Sequence, residues 1–227
     1  MKIWVISLGG SLIVPDKIDY SFLEKFRNNL RKHYKKCKFV VVTGGGSIAR
    51  KYISLLEREN RSEKERSIAG IRATRMNALF LMQFFGKEAN EKLPADMKEL
   101  INYLNKNNVV ICGALRYFPD STSDSTAARL AHFLKTDFIN MTNVKGLYSS
   151  NPLTNKTAKF ISEISWKKFD KRANRMPYKP GQHFVLDQQA ATIIRKNKTK
   201  TFIIGNDLSN FEKIIKNRKF VGTRIEG

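Results

Sequence analysis

The sequence predicts an α/β protein whose mostly parallel central sheet is covered by helices on both faces. Three observations carry that reading. Short apolar runs rich in Val and Ile alternate with longer amphipathic stretches. The runs are continuously apolar, as in strands buried on both faces. Glycine and hydroxyl residues follow them at once, in Ser7-Leu8-Gly9-Gly10-Ser11, Thr43-Gly44-Gly45-Gly46-Ser47 and, opening a later helical stretch, Pro119-Asp120-Ser121-Thr122-Ser123-Asp124.

In chain order, the first strand is expected over residues 2–7 and the second over 38–43. The helix between them, 20–35, repeats Phe22, Phe26, Leu30 and Tyr34 at every fourth position, with Asp19 or Ser21 placed to cap it. A helix over 47–57 sets Ile48, Tyr52, Leu55 and Leu56 on one side, and Glu59-Asn60-Arg61-Ser62 then reads as a loop. Helices over 68–85 and 97–106 precede a strand over 109–112. A helix over 124–134, a strand over 137–141, a helix over 187–196 and a strand over 201–204 continue the βα alternation, which requires parallel strands. The connector 148–181 holds Pro152, Pro177 and Pro180 and one short helical piece at 166–171. It exceeds the roughly 15 residues of an ordinary connection, which marks a lid or binding loop. No repeat, low-complexity tract or flexible linker divides the 227 residues, so one domain, 1–227, is expected.

At 41% hydrophobic and 11% aromatic residues, the chain can bury a sizeable core. No apolar stretch approaches the roughly 18 residues of a spanning helix, and the opening run is too short for a signal peptide; a cytoplasmic location is expected, without membrane association. Cys37 and Cys112 stand apart without metal-ligand spacing and read as two reduced thiols, with no metal site. His33, His132 and His183 show no spacing to a nucleophile or ligand set and are left unassigned. The charge is the anomaly. Lys and Arg number 42 against 20 Asp and Glu, a formal +22, and a globule this basic attracts polyanions. Yet Arg31-Lys32-His33-Tyr34-Lys35-Lys36 and Lys196-Asn197-Lys198-Thr199-Lys200 fall at predicted helix ends, where cations also complement the helix dipole. Nucleic acid stays open as a partner, without a recognisable motif to support it.

Glycine in the three turns lets backbone amides approach an anion, and a following helix adds its positive end. Any strand-to-helix turn also uses glycine. It is the repetition at strand ends, joined to Ser, Thr and an acidic residue, that points to a polyphosphate cradle at the sheet's C-terminal edge.

The motif order resembles the amino acid kinase superfamily and, within it, the archaeal-type uridylate kinases. The resemblance spans nearly the whole chain. It rests on Ile6-Ser7-Leu8-Gly9-Gly10-Ser11 with Val14-Pro15-Asp16 and Ile18-Asp19; on Gly44-Gly45-Gly46 with Ala49-Arg50-Lys51-Tyr52; and on Gly70-Ile71 followed by Ala73-Thr74-Arg75-Met76-Asn77-Ala78. Thr122-Ser123-Asp124, Thr142-Asn143-Val144-Lys145-Gly146-Leu147-Tyr148, Asp187 with Ala190-Ala191, and the terminal Gly222-Thr223 complete it.

The resemblance implies a three-layer αβα sandwich and ATP-dependent phosphoryl transfer to a small acceptor, UMP in the archaeal-type members, in a homo-oligomer, hexameric or dimeric. Residues 1–135 would form the acceptor side and 136–227 the ATP side. Gly9, Gly10 and Ser11 would meet the transferring phosphates, and Gly45, Gly46 and Arg50 the acceptor phosphate. Thr122, Ser123 and Asp124 would contact the acceptor nucleotide. Thr142, Asn143, Tyr148 and Pro152 would line the ATP pocket, with Asp187 near the phosphates to orient cationic groups or a Mg²⁺ held mainly by the phosphates themselves. Each has a plainer reading: Asp124 and Asp187 as helix caps, Arg50 as a solvated cation, Tyr148 as a packing residue.

The chain also departs from the family pattern. Ser67 stands where an acidic residue would hold the acceptor ribose; Asp120 and Ser121 replace a glycine and an aromatic or His; Lys145 and Asn151 replace two aspartates. Lys145 either supplies positive charge to the transition state, joining Gly10, Ser11 and Asp187 as a catalytic group, or marks the decay of the acidic set. The leading expectation is a UMP kinase. The alternatives are a catalytically impaired relative that binds nucleotide or an anionic macromolecule, and a kinase of another phosphorylated acceptor.

Overall fold

A computed structural model describes residues 1–117, 122–152, 154–175 and 185–227. The five strands at the heart of the sheet are β1 (Lys2–Leu8), β2 (Cys37–Thr43), β3 (Val109–Cys112), β4 (Phe138–Met141) and β8 (Thr201–Ile204). All five run parallel, paired in the order β3-β2-β1-β4-β8. Alternate side chains of each strand serve opposite faces, so every strand needs apolar residues at consecutive positions. Trp4, Ile6, Phe39, Val41, Ile111, Ile139 and Phe202 pack on one face, while Val5, Val40, Val42, Val110, Phe138 and Ile203 pack on the other.

The first face is covered by α2 (Tyr20–Arg31), the second half of α4 (Glu63–Phe85) and α9 (Leu208–Ile215), through Phe22, Phe26, Leu30, Leu81, Phe85 and Phe211. The second is covered by α5 (Met97–Lys106), α6 (Ser123–Phe133), α7 (Trp166–Ala173) and α8 (Gln188–Asn197), through Leu100, Leu104, Ala127, Ala131, Phe169 and Ile194. This is a three-layer αβα sandwich. Asp19, one of the two predicted caps, starts α2 by accepting the Phe22 amide at 3.0 Å. Ser62 opens α4 with a capping box to Glu65, so that helix begins within the stretch after Ser62 rather than at 68.

Two expectations change, and two elements are added at the end. In α3 (Gly46–Arg58) the buried residues are Ala49 and Ile53, packed against Ala73, whereas Tyr52 and Leu55 are 55% and 57% exposed. The helix turns its small side chains inward because α4 lies close alongside. The connector 148–181 contains real strands. β5 (Leu147–Tyr148) and β6 (Phe160–Ile161) form a hairpin, β7 (Glu163–Ile164) joins the sheet, and α7 follows; Pro177 and Pro180 lie outside the described residues. Finally, α9 and β9 (Thr223–Ile225) close the chain. β9 runs antiparallel to β8 and pairs with β7, which extends the sheet to seven strands. Both cysteines are buried and free, and burial pushes the Cys112 thiol up to about 12.

The two glycine turns meet backbone to backbone. A Cβ on Gly10 would fall 2.2 Å from the Gly46 nitrogen and 2.7 Å from the Gly44 oxygen, and Gly46 itself sits at φ +63°, where side chains with a Cβ are strained. Gly10→Ala is therefore expected to destabilise the fold by about 3 kcal/mol, since only backbone movement relieves the overlap. Gly70→Ala is the contrast. Inside α4 the new Cβ meets only the end of the Ile53 side chain at 3.3 Å, and alanine is the better helix former, so stability should stay within about 1 kcal/mol of the parent. Urea unfolding midpoints of the two variants check both.

Candidate active site

Strand order fixes where a ligand can sit. From β1 the chain moves outward through β2 to β3, then crosses to β4 on the other side and on to β8. Loops leaving β1 and β4 diverge at that reversal, and a crevice opens at their C-terminal ends. A cleft of about 570 Å³ occupies it.

The first wall is the pair of glycine turns. The Gly44 amide donates to the Leu8 carbonyl at 2.8 Å and the Gly9 amide to Met141 at 2.9 Å, stitching the turns after β2, β1 and β4 together. From α4, Asn77 Nδ2 donates to the Gly44 carbonyl at 2.7 Å, and the Thr43 hydroxyl donates to the Thr74 carbonyl at 2.7 Å. The amides of Gly46 and Ser47 open α3, and those of Gly10 and Ser11 open the short α1 (Gly10–Ile13); first-turn amides have no intrahelical acceptor. One turn into α3, Arg50 lines the cleft. It is partly buried, burial lowers its pKa, and no hydrogen bond or ion pair holds it among the described residues.

The second wall joins the start of α6 to the start of α8. Thr122 caps α6 by accepting the Asp124 amide at 3.1 Å, so the cap is Thr122 and not Asp124. The Asp124 carboxylate instead accepts the Ser7 hydroxyl of β1 at 2.6 Å. Burial, and after it the neighbouring Asp187 charge, push Asp124 up to about 7. Asp187 is a double cap. One carboxylate oxygen accepts the Ala190 amide at 2.6 Å; the other accepts the Thr122 hydroxyl at 2.5 Å and the Thr122 and Ser125 amides at 3.2 and 3.3 Å. Burial raises its pKa and these donors pull it back.

The third wall is the segment after β4. Thr142, Asn143, Val144, Gly146, Tyr148 and Pro152 line the cleft. The Tyr148 ring packs edge-on against Phe160 at 5.4 Å, as its plainer reading had it. Lys145 does not share this placement. Its side chain is exposed, and the wall is made by its neighbours Val144 and Gly146. The hairpin is held from the end of the chain: the Leu147 amide donates to the Thr223 hydroxyl at 2.7 Å, and that hydroxyl donates to Ile161 at 2.5 Å.

Gly9, Gly10, Ser11, Gly45, Gly46, Arg50, Thr122, Ser123, Asp124, Thr142, Asn143, Tyr148, Pro152 and Asp187 thus share one cleft, and so does Ser67. Asn151 lines it too, while Asp120 and Ser121 lie outside the described residues. The sequence reading missed Arg172 and Arg175. Both reach the cleft from α7 and its end, and Arg172 also donates to the carbonyls of Tyr148, at 3.0 Å, and Ser149. Only the density of basic residues along that helix signals them, and that density is common elsewhere in the chain.

The comparisons with known proteins bear on the family and the fold. The amino acid kinase family model matches residues 2–205. The chain is 35% identical over 226 residues to the uridylate kinase of Archaeoglobus fulgidus, covering 99% of this chain and 100% of that protein. To the uridylate kinase of Pyrococcus abyssi it is 32% identical over 224 residues, covering 98% of each. The crystal structure of the Archaeoglobus fulgidus uridylate kinase superposes with a TM-score of 0.83 over 99% of this chain and 100% of that one. That of the Bacillus anthracis UMP kinase, 21% identical, superposes at 0.78 over 99% and 96% and shares the fold.

The Asp124 environment sets a pH dependence of stability. Its folded pKa lies above the ordinary carboxylate value of 3.8, so the folded state holds a proton that the unfolded chain releases. Stability from this group is complete below about pH 4 and is lost as pH rises through about 7. Asp124 keeps some exposure to the cleft, which limits the effect to on the order of 1–2 kcal/mol. Asp124→Asn, which can still accept from Ser7, should raise Tm at pH 8 and leave it nearly unchanged at pH 4; thermal melts at the two pH values measure the difference.

Proposed function

The chain belongs to the amino acid kinase family, and from that premise we propose that it transfers the terminal phosphoryl group of ATP to a nucleoside monophosphate, UMP, giving ADP and UDP. The observation that carries the reading is convergence. Two glycine turns, an Arg50 without a partner among the described residues and the start of α6 line one cleft with the segment after β4. Phosphoryl transfer asks a protein to hold two anionic groups in line and to neutralise their charge, with no nucleophilic side chain.

Residues 1–135 supply the acceptor side. The Gly45–Gly46 turn and Arg50 hold the acceptor phosphate, the guanidinium offering a planar fork to its oxygens. Thr122, Ser123 and Asp124 contact the acceptor nucleotide. An Asp124 near neutrality keeps one negative charge away from the phosphates and can donate its proton to a sugar or base oxygen. Residues 136–227 supply the ATP side, with Thr142, Asn143, Tyr148 and Pro152 at the nucleotide and Gly9, Gly10 and Ser11 at its phosphates. Among the described residues, the cations that line this space are Arg50, Arg172 and Arg175. Asp187 holds the starts of α6 and α8 in place. With both Asp187 oxygens engaged by hydrogen-bond donors, Mg²⁺ would be carried mainly on the nucleotide phosphates. Bound there, it supplies charge neutralisation.

A homo-oligomer belongs to the same proposal. Tyr52 and Leu55 on α3, and Met76 and Leu79 on α4, are exposed apolar side chains at three-residue spacing, one face on each of two packed helices. A second copy of the chain is the occupant such faces suit. A cytoplasmic location is also proposed; no helix among the described residues is long and apolar enough to cross a membrane.

Purified protein with ATP, Mg²⁺ and a panel of nucleoside monophosphates should release ADP with UMP preferred; turnover with no acceptor, despite nucleotide binding, would reject the kinase reading. Arg50→Ala should raise the UMP KM by about 10- to 100-fold, the equivalent of one charge-assisted contact, and move the ATP KM far less. In sedimentation velocity the parent should run as an oligomer and Leu55→Asp as a smaller species.

A further inference from the structure

The edge of the sheet opposite the cleft is a line of five lysines, four of them without an ion-pair partner among the described residues. Five parallel strands enter the sheet from one side, so the residues that precede them gather along one rim. In spatial order these are Lys106 before β3, Lys36 before β2, Lys2 at the start of β1, Lys135 before β4 and Lys198 before β8. At the ordinary strand spacing of about 4.8 Å, this rim is roughly 19 Å long. Carboxylates there are already taken: Asp137 by Lys2 at 2.9 Å and Glu226 by Lys200 at 2.7 Å. Lys36, Lys106, Lys135 and Lys198 are exposed and have no ion-pair partner among the described residues.

The helix dipole explains part of this, because α2, α5, α6 and α8 end here. It does not explain the backbone. Four non-glycine residues among those described adopt positive φ; Asn60 and Asn217 are of the type that tolerates it, but the other two are Lys135 and Lys198, both at 50°. Glycine or asparagine would suit those two positions better, and lysine stands at both, on the rim. Phe133, 44% exposed, is the last residue of α6, two before Lys135.

We infer that this rim docks a single strand of nucleic acid. A row of cations one strand apart matches the sequential phosphates of one backbone, where a membrane surface would call for a plane of charge, and the exposed ring offers a base a stacking platform. The rim lies at the end of the sheet away from the cleft, so binding there leaves the cleft free.

Fluorescence anisotropy of a labelled 20-nucleotide oligouridylate with the full chain tests this. With about four phosphates engaged, one by each unpaired lysine, the logarithm of the association constant should fall against the logarithm of salt concentration with a slope of about −2.8. Lys106→Glu/Lys135→Glu/Lys198→Glu should weaken binding at least 30-fold, while circular dichroism and Tm report an intact fold. Lys17→Glu/Lys64→Glu/Lys92→Glu carries the same net charge away from the rim and should stay within about threefold of the parent. Phe133→Ala should cost about tenfold. Equal losses in the two triple variants would reduce the effect to bulk charge and overturn the inference. So would preferential capture of a duplex of the same length or of phosphatidylserine vesicles.

Discussion

The close approach of two backbones organises this molecule. Gly10 lies against Gly44 and Gly46 at distances that no Cβ allows, and the cleft exists because the turns after β1 and β2 can touch there. Everything that lines the near wall depends on that contact. The first-turn amides of α1 and α3 share a space only because their parent turns do, and Arg50 reaches it because α3 starts at Gly46. Thr43, Thr74 and Asn77 spend their polar groups holding the second turn in register with α4, which shows how much of the neighbouring helix serves this one junction.

Electrostatics then divides the labour between two acidic residues. Asp187 is fully engaged, with donors on both oxygens, and works as a brace between α6 and α8. Asp124 has one donor, Ser7, and a carboxyl close to neutral. In a cleft meant for two polyanions, a braced carboxylate turned to its own helices and a second one held nearly uncharged repel phosphate less than two free ones would.

Much of the fold was legible because buried parallel strands leave an unmistakable trace. Val109 to Cys112 and Thr201 to Ile204 were placed to the residue, as was the helix from Met97 to Lys106. What escaped reading had weak local signals. Two-residue strands such as β5 and β6 have no periodicity to show, and β9 is fixed by its partners β8 and β7 rather than by its own three residues. In α3 the misread face has a physical cause: Ala49 is buried by close helix packing, while the larger Tyr52 and Leu55 stay outside, the reverse of what side-chain size suggests. Within the site, the glycine turns and Arg50 announced themselves through motif spacing. Arg172 and Arg175 had none, and Lys145 sat inside a motif yet is exposed and is not among the residues that line the cleft.

The Thr223 hydroxyl, which accepts from Leu147 and donates to Ile161, ties the hairpin of the nucleotide wall to the final strand. That wall is thus latched by a contact between residues 76 positions apart. The glycine junction joins Gly10 to Gly44 and Gly46, a much shorter separation along the chain. Closing the far wall therefore carries the larger loop-closure entropy of the two.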